Sequence, residues 1–425
     1  MTNKRWVVAF MLFFATIINY VDRSVLGLAG PAIMKDFAIS KVEFGVLASA
    51  FFWSYALMQI PSGMIVDKLG TRLAYGIALV WWSLATVFTG IANTFAQLIG
   101  SRVLMGVGEA PSFPANARVM SEWMPAKERG KANALVTAGM AAGSGLLSPI
   151  IAWLIVTYGW RTSFIICGAV GIAFTVLWAV LFRSHPKDDK NVNKEELEYI
   201  TAGQPKQTEE KVVSTFRWHQ ALKYRQIWVL CFGLFVANYL NYLMLAWFPS
   251  YLVSKGMTLM TAGFASMAPY VAMFAGAIAG GSLSDYLINK KNYRPVKARK
   301  VTLTLGTLVM FTFILPAPYV SDNLIALILM SGATSSVGLI GSNCWAIIAD
   351  IAPKSAVGGI AGFQNFLGQF PGVIAPIVTG FIVQYTGSYT LAFNIPAVFA
   401  ILAAGAYIFG LTDFEIKEAD MQKQS

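Results

Sequence analysis

The chain has 425 residues, of which 56% are hydrophobic and 12% charged, and carries a formal net charge of +11. Soluble globular chains carry about twice that charged fraction, roughly 25%, so the composition excludes an ordinary soluble domain. The basic residues crowd alternate loops, which excludes a nucleic-acid surface as the reason for the positive excess.

Apolar residues fall into blocks of about 20, the length a helix needs to cross about 30 Å of hydrocarbon. In chain order the blocks predict twelve spans: 6–28, 44–64, 73–93, 97–120, 132–157, 162–182, 227–252, 260–284, 301–320, 323–349, 357–383 and 390–411. Pro and Gly within them are tolerated, because neighbouring helices re-satisfy freed backbone groups. The expected fold class is an all-α membrane protein.

Lys4, Arg5, Lys68, Arg72, Lys127, Arg129 and Lys131 mark one side of the membrane. The 183–226 stretch, Lys290, Lys291, Arg294, Lys297, Arg299, Lys300 and Lys354 continue that series. The alternate loops hold only Lys35, Lys41, Arg161 and Lys255. This asymmetry predicts an even number of spans with both termini cytoplasmic. Cys167, Cys231 and Cys344 all fall inside spans and read as small packing residues. The first apolar segment is too long for a signal h-region and lacks a cleavage site.

Residues 183–226 break the pattern as a polar linker with a short helix, capped by Asn193 with Glu196 at its third position. They separate a bundle over 1–182 from a second over 227–425 that ends in a short cytoplasmic tail. The halves repeat. Asn19-Tyr20-Val21-Asp22-Arg23 matches Asn238-Tyr239-Leu240-Asn241-Tyr242, and Gly63 with Asp67 matches Gly281 with Asp285, at offsets of 219 and 218 residues. Ser148-Pro149-Ile150 before Tyr158-Gly159 echoes Ala375-Pro376-Ile377 before Tyr385-Thr386-Gly387. Parallel six-helix repeats are an architecture of rocking-type secondary transporters.

Gly63-Met-Ile-Val-Asp67-Lys68-Leu-Gly70-Thr-Arg72 resembles the loop 2–3 motif of the major facilitator superfamily, with Asp285, Arg299 and Lys300 as a weaker copy. Asn19 to Arg23, Phe52-Trp53-Ser-Tyr55, Gln59-Ile-Pro61-Ser-Gly63, Gly108-Glu109-Ala-Pro111 and Ala246-Trp247-Phe248-Pro249-Ser-Tyr251-Leu252 narrow the resemblance. Together they resemble the anion:cation symporter branch, which includes bacterial sugar-acid importers, vesicular glutamate transporters and sialin. The resemblance covers essentially the whole chain. It implies the twelve-helix major facilitator fold of two pseudo-symmetric six-helix bundles, in a bacterial inner membrane, importing a small organic anion such as a sugar acid. It also implies that Tyr55, Ser342, Trp345 and Asn365 line the substrate site.

Charges inside the bilayer are costly and mark function by default. The spans hold few: Asp22 and Arg23 in the first, Arg102, Glu109 and Arg118 in the fourth, and Asp350 near a helix end in the second half. Arg102 and Glu109 stand seven residues apart, two turns along one face that Asn116 continues. Arginine stays charged and grips carboxylates, whereas a buried carboxyl takes up a proton near neutral pH. Asp22 and Glu109 are therefore candidate proton carriers, and Arg23 and Arg102 candidate anion ligands. A static Asp22–Arg23 pair and an interfacial anchor at Arg102 are the bland readings. Gly106 and Gly108 permit close helix approach around Glu109, and Arg118 reads as a gate or snorkelling residue. His185 and His219 lie in the linker, away from any relay.

In the second half Asn238, Tyr239, Asn241, Tyr242, Ser342, Asn343, Trp345, Gln364, Asn365 and Gln369 offer neutral polar groups. Interhelical glue is the equal reading for each; Asn241, Ser342, Trp345 and Asn365 are taken as substrate ligands. Met140 and Cys344 replace an expected glutamine and hydroxyl residue, which points to a less hydroxylated or partly aromatic acid. Asp67, Lys68, Arg72 and Asp285 read as gating residues, with Gly63 bringing the second span close to a neighbour and Asp67 meeting a helix N-terminus or an arginine across the domain interface. No cofactor or metal is expected, the proton being the coupling ion, and the expected state is a monomer in a lipid bilayer with no nucleic-acid partner. An exporter, an exchanger, a transporter of another carboxylate and a non-transporting sensor are the rivals. An enzyme is disfavoured, because no phosphate-binding Gly-rich loop or nucleophile elbow is present.

Overall fold

The computed structural model describes residues 2–202, 223–352 and 357–412. The expectations for His219, Lys354, the later linker and the C-terminal tail lie outside the described residues. The first helices are α1 (Lys4–Asp36), α2 (Lys41–Leu69), α3 (Thr71–Ile91), α4 (Phe95–Glu109), α5 (Ser112–Trp123), α6 (Ala126–Ala141) and α7 (Ser148–Leu181). After α8 (Lys194–Ala202) come α9 (Arg225–Ser254), α10 (Leu259–Ala265), α11 (Met267–Asn289), α12 (Pro295–Ile314), α13 (Asn323–Ile351), α14 (Val357–Thr386) and α15 (Thr390–Gly410). Local chemistry starts several of them. Ser40 with Glu43 and Thr94 with Gln97 form capping boxes for α2 and α4, and Asp322 caps α13.

Among the described residues nine helices are long and apolar enough to cross a membrane, ten if the bent α2 counts as one span. The stretch Lys127–Leu181, 55 residues long, contains two of the predicted spans. It divides at Gly159, whose φ of 84° lies in the left-handed region. Gly387, its counterpart in the repeat, has φ of 68°, and Pro31 inside α1 has a counterpart in Pro249 inside α9.

The predicted span 97–120 is not one helix but α4 and α5, broken at Ala110 and Pro111. Pro111 and Pro114 lack the N–H groups that would bond back one turn. These prolines release the carbonyls of Val107 and Ala110; Ser62 Oγ donates to that of Ala110 at 3.2 Å, and Ser112 Oγ donates to the neighbouring Glu109 carbonyl at 2.7 Å. The break therefore sits beside the buried acid.

By contact the chain forms two units. One comprises Met1–Thr208 with Phe248–Met267, the other Glu209–Trp247 with Ala268–Ser425. In the first, α3 packs on α7 and α4, α1 on α6 and α7, and α10 on α7. In the second, α12 packs on α13 and α15, and α14 on α13 and α15.

The linker helix α8 is bolted to the start of α1. Asn193 caps α8 as expected, accepting the Glu196 N–H at 2.9 Å. The Glu196 carboxylate does not turn back to complete a capping box, however. It caps α1, accepting the N–H groups of Lys4 and Arg5 at 3.1 Å each, the Arg5 guanidinium at 3.0 Å and the Thr2 hydroxyl. Arg5 also grips Glu128 through two bonds of 2.7 and 3.2 Å. Burial alone would push the Glu196 carboxyl up, but the bonds from Thr2, Arg5 and Lys4 outweigh it and hold it below its ordinary range.

A buried ion pair broken on one side costs about 3 kcal/mol or more, so Glu196→Ala should unfold at a clearly lower temperature in detergent at pH 7. A folded-state pKa held below the unfolded one gives stability that is present above the ordinary glutamate value and lost as pH falls through the folded value. The gap between wild type and Glu196→Ala should therefore persist from pH 7 to about pH 5 and close below the ordinary glutamate value. A gap independent of pH across that window would remove Glu196 as its source.

Candidate functional site

Four ionisable side chains, two from α1 and two from α4, meet in the first unit beside α3. Arg23 Nε donates to Glu109 Oε2 at 2.7 Å, with side-chain exposures of 3% and 0%. The guanidinium stands 4.7, 4.8 and 5.0 Å from the ring centroids of Phe51, Tyr55 and Tyr20, all within cation–π range. Arg102, also buried, lies 5.5 Å from the Phe51 ring and donates to the Asp22 carbonyl at 3.4 Å. Phe51 is thus a common neighbour of both guanidiniums.

Asp22 and Arg23 are not a pair, contrary to the bland reading: Arg23 bonds Glu109 of another helix. Asp22 is fully buried, and neither carboxylate oxygen has a hydrogen-bond partner among the described residues. Thr86 of α3 stands beside it without a bond of normal geometry, its hydroxyl donating to the Trp82 carbonyl at 3.0 Å. The Asn19 amide lies beside Glu109 in the same way, and Glu109 Oε1 and Arg102 Nε also lack partners. Arg102 is 2% exposed, the reverse of a snorkelling anchor.

Two glycines make this closeness possible. A Cβ on Gly106 would sit 2.1 Å from Ser54 Oγ and 2.3 Å from the Phe51 carbonyl. One on Gly108 would sit 2.4 Å from Trp81. The helix carrying Arg102 and Glu109 is thereby pressed on α2 and α3.

The residues assigned to gating are arranged differently from expectation. Asp67 meets an arginine at 2.8 Å, but it is Arg118 of the same unit, which also bonds Glu122 at 3.0 Å. A Cβ on Gly63 would find nothing within 4 Å, so the close approach expected there is not made. Arg72 Nη2 donates to the Ala179 carbonyl at 2.6 Å, while Lys68 is exposed. In the second unit Asp285 is exposed and forms no ion pair among the described residues. Arg299 instead bonds Asp350 at 3.2 Å and Ser284 at 2.7 Å, and Lys300 the carbonyls of Ile408 and Leu411.

The neutral polar groups of the second unit sort by geometry. Asn238 donates to the Gly368 carbonyl at 2.7 Å and Gln364 to that of Leu230 at 3.1 Å, tying α9 to α14 as interhelical glue. The Tyr242 hydroxyl donates to Gln369 Oε1 at 2.7 Å, and Gln369 Nε2 to Asn365 Oδ1 at 3.1 Å. With its oxygen so occupied, Asn365 has its NH₂ group to offer. Ser342 bonds its own helix at Leu339, Asn241 is half-buried, and Trp345 is 47% exposed. Cys344 is buried 3.7 Å from the Tyr407 hydroxyl. Its thiol is packed against α15, so it is no argument about substrate polarity; Met140 remains one, half-buried on α6.

The sequence profile of the Major Facilitator Superfamily matches residues 12–376. The chain belongs to that superfamily. It is a multi-pass membrane transporter, not an enzyme. It is 34% identical to the probable galactarate/D-glucarate transporter GarP of Escherichia coli K12, over 99% of this chain and 97% of that one. It is 34% identical to the D-galactonate transporter of Escherichia coli O6:H1, over 97% and 96% of the two chains, and 31% identical to the hexuronate transporter of Bacillus subtilis, over 94% and 93%. A crystal structure of a bacterial homolog of the human lysosomal transporter Spinster, inward-facing and occupied, superposes with a TM-score of 0.74 at 17% identity, covering 96% of each chain. That likeness supports the twelve-helix major facilitator fold of two pseudo-symmetric bundles.

Phe51, Tyr20 and Thr86 were not singled out from the sequence. The spacing of Phe51 and Tyr55, one turn apart on α2, is the signal that could have shown a shared aromatic face. Because Gly106 lies against it, Gly106→Ala should lower the unfolding temperature of the detergent-solubilised protein, at a cost of about 1–3 kcal/mol from overpacking. An unchanged unfolding temperature would mean that α2 and α4 are not in tight register there.

Proposed function

We propose that this transporter imports a small organic anion of the sugar-acid class together with a proton. The observation that carries the reading is the buried Arg23–Glu109 pair, with Asp22 and Arg102 beside it. An ionised Glu109 occupies Arg23. A proton on Glu109 removes the charge that holds the guanidinium, and Arg23 is then available to a substrate carboxylate, with Arg102 as second cation. Loss of the proton re-forms the internal pair and displaces the anion. Asp22 is the second proton carrier, since an ionised carboxylate there has no donor among the described residues and a neutral carboxyl can itself donate, to Thr86.

Substrate choice is assigned to Tyr55 and to the neutral groups Asn241, Ser342, Trp345 and Asn365, with Asn365 presented as a donor by the Tyr242–Gln369 chain. Sugar acids offer hydroxyl and carboxylate oxygens, which are acceptors for such a donor. The sugar-acid relatives named above support the substrate class. Gating is assigned to the ends of the helices, where Asp67–Arg118 and Arg299–Asp350 are exchangeable ion pairs, with Lys68, Arg72 and Asp285 exposed nearby in sequence. The loop charges support cytoplasmic termini in a bacterial inner membrane.

Uptake into proteoliposomes of labelled galactonate, glucarate and glucuronate, with and without an inward proton gradient, tests the reading. One acid should be taken up faster under the gradient. Arg102→Ala should lower its uptake at least about tenfold, the loss of one charge-assisted bond. Glu109→Gln should keep counterflow exchange while losing gradient-driven accumulation. Uptake indifferent to the gradient would end the proton assignment, and normal coupling in Glu109→Gln would end the role of that carboxyl. Gln369→Leu should raise KM about tenfold with little change in maximal rate, because it releases Asn365; a fall in maximal rate alone would make the chain purely structural.

A further inference from the structure

A groove of about 620 Å³ runs between α12 and α15 of the second unit, away from every residue assigned to transport chemistry. Its floor is apolar, and Val301, Leu305 and Leu308 line it at successive turns of one α12 face, each about two-fifths exposed. Ile408 of α15 forms the facing wall. From Lys297 to Leu308 the helix rises about 16 Å at 1.5 Å per residue, which is about half of a hydrocarbon core roughly 30 Å thick. The groove is therefore one leaflet deep.

Its polar end is positive. Lys300 is held by the carbonyls of Ile408 and Leu411 at 2.8 and 2.9 Å, which leaves one of its three N–H groups to donate. Lys297 is exposed, stands 4.6 Å from the Tyr293 ring, and forms no hydrogen bond or ion pair among the described residues. The first turn of α12 opens at the same end: Arg294 supplies no side-chain cap and Pro295 starts the helix, so its backbone N–H groups add to the positive potential. An apolar channel one leaflet deep, closed by two ammonium groups and a helix N-terminus, complements one kind of molecule.

We propose that this groove binds a single anionic phospholipid, its phosphodiester between Lys297, Lys300 and the first turn of α12 and one acyl chain along Val301, Leu305 and Leu308. Basic pockets between transmembrane helices on the cytoplasmic side select anionic headgroups in this way, and the basic loop before α12 assigns this end to that side. A phosphocholine headgroup would place a second cation against the lysines and is disfavoured.

The test is native mass spectrometry of the full-length protein in detergent, exposed to equal amounts of phosphatidylglycerol and phosphatidylcholine with identical acyl chains. Phosphatidylglycerol should be retained at least tenfold over phosphatidylcholine, and Lys297→Ala should lower that preference about fivefold, as should Lys300→Gln. Among the described residues Lys297 forms no hydrogen bond or ion pair and only stands over the Tyr293 ring, so its variant carries the test even if Lys300→Gln fails to fold. p-Benzoylphenylalanine in place of Leu305, irradiated in phosphatidylglycerol vesicles, should give a lipid adduct. Equal retention of the two lipids, or a preference unchanged by Lys297→Ala, would overturn the proposal. So would a cross-link from position 305 to residues 413–425 or to a second copy of the chain, since either makes the groove a protein contact.

Discussion

An arginine and a glutamate joined at 2.7 Å, both almost without solvent exposure, set the constraint around which the first unit is arranged. Ions of this kind are costly to desolvate, and their attraction offsets that cost only when geometry and surrounding polar groups are good. The fold supplies the geometry through small residues and aromatic rings. Gly106 and Gly108 bring the helix carrying Glu109 against α2 and α3, and Phe51, Tyr55 and Tyr20 cover the guanidinium. The helix break at Pro111 follows closely after the acid, where the carbonyls of Glu109 and Ala110 accept from Ser112 and Ser62. Removing the charge of either partner would leave the other buried without its counter-ion, which is the physical basis of the coupling proposed above.

The two units share a scaffold and differ in chemistry. The repeat between the two halves of the sequence is visible in Gly159 and Gly387, both left-handed at corresponding positions, and in Pro31 and Pro249 inside corresponding helices. Where the first unit carries Asp22 and Arg23, the second carries Asn241 and Tyr242. The amides and phenols there bond one another and backbone carbonyls, as in the chain from Tyr242 through Gln369 to Asn365. The first repeat thus holds the four buried ions, and the second orients neutral hydrogen-bonding groups at the corresponding positions.

The linker is not a passive tether where it is described. Glu196 serves as the N-cap that α1 lacks, because Asn3 has left-handed backbone and makes no side-chain cap bond. A carboxylate placed on a helix N-terminus meets both unsatisfied N–H groups and the positive end of the helix dipole. The start of α1 and the linker helix α8 are therefore tied together as one piece.

Most of the spans, the internal repeat, the family and the four charges buried within the spans (Asp22, Arg23, Arg102 and Glu109) were legible in the sequence, because they depend on local properties. Arg118 and Asp350, picked out by the same rarity, are only half-buried. Hydrocarbon requires about 20 apolar residues in a row, and it makes each intramembrane charge conspicuous by rarity. Which charges meet was not legible. Asp22 and Arg23 are adjacent in sequence, yet successive side chains on a helix diverge, and Arg23 finds Glu109 while Asp22 faces α3. Asp67 finds Arg118, Arg299 finds Asp350 rather than Asp285, and Cys344 turns to Tyr407. Each partner lies on another helix, and its identity depends on helix rotation and interaxial distance. The sequence by itself determined that this chain crosses a membrane many times and carries a few buried ions; the tertiary structure decided their pairing, because packing between helices alone fixes the few ångströms over which such ions interact.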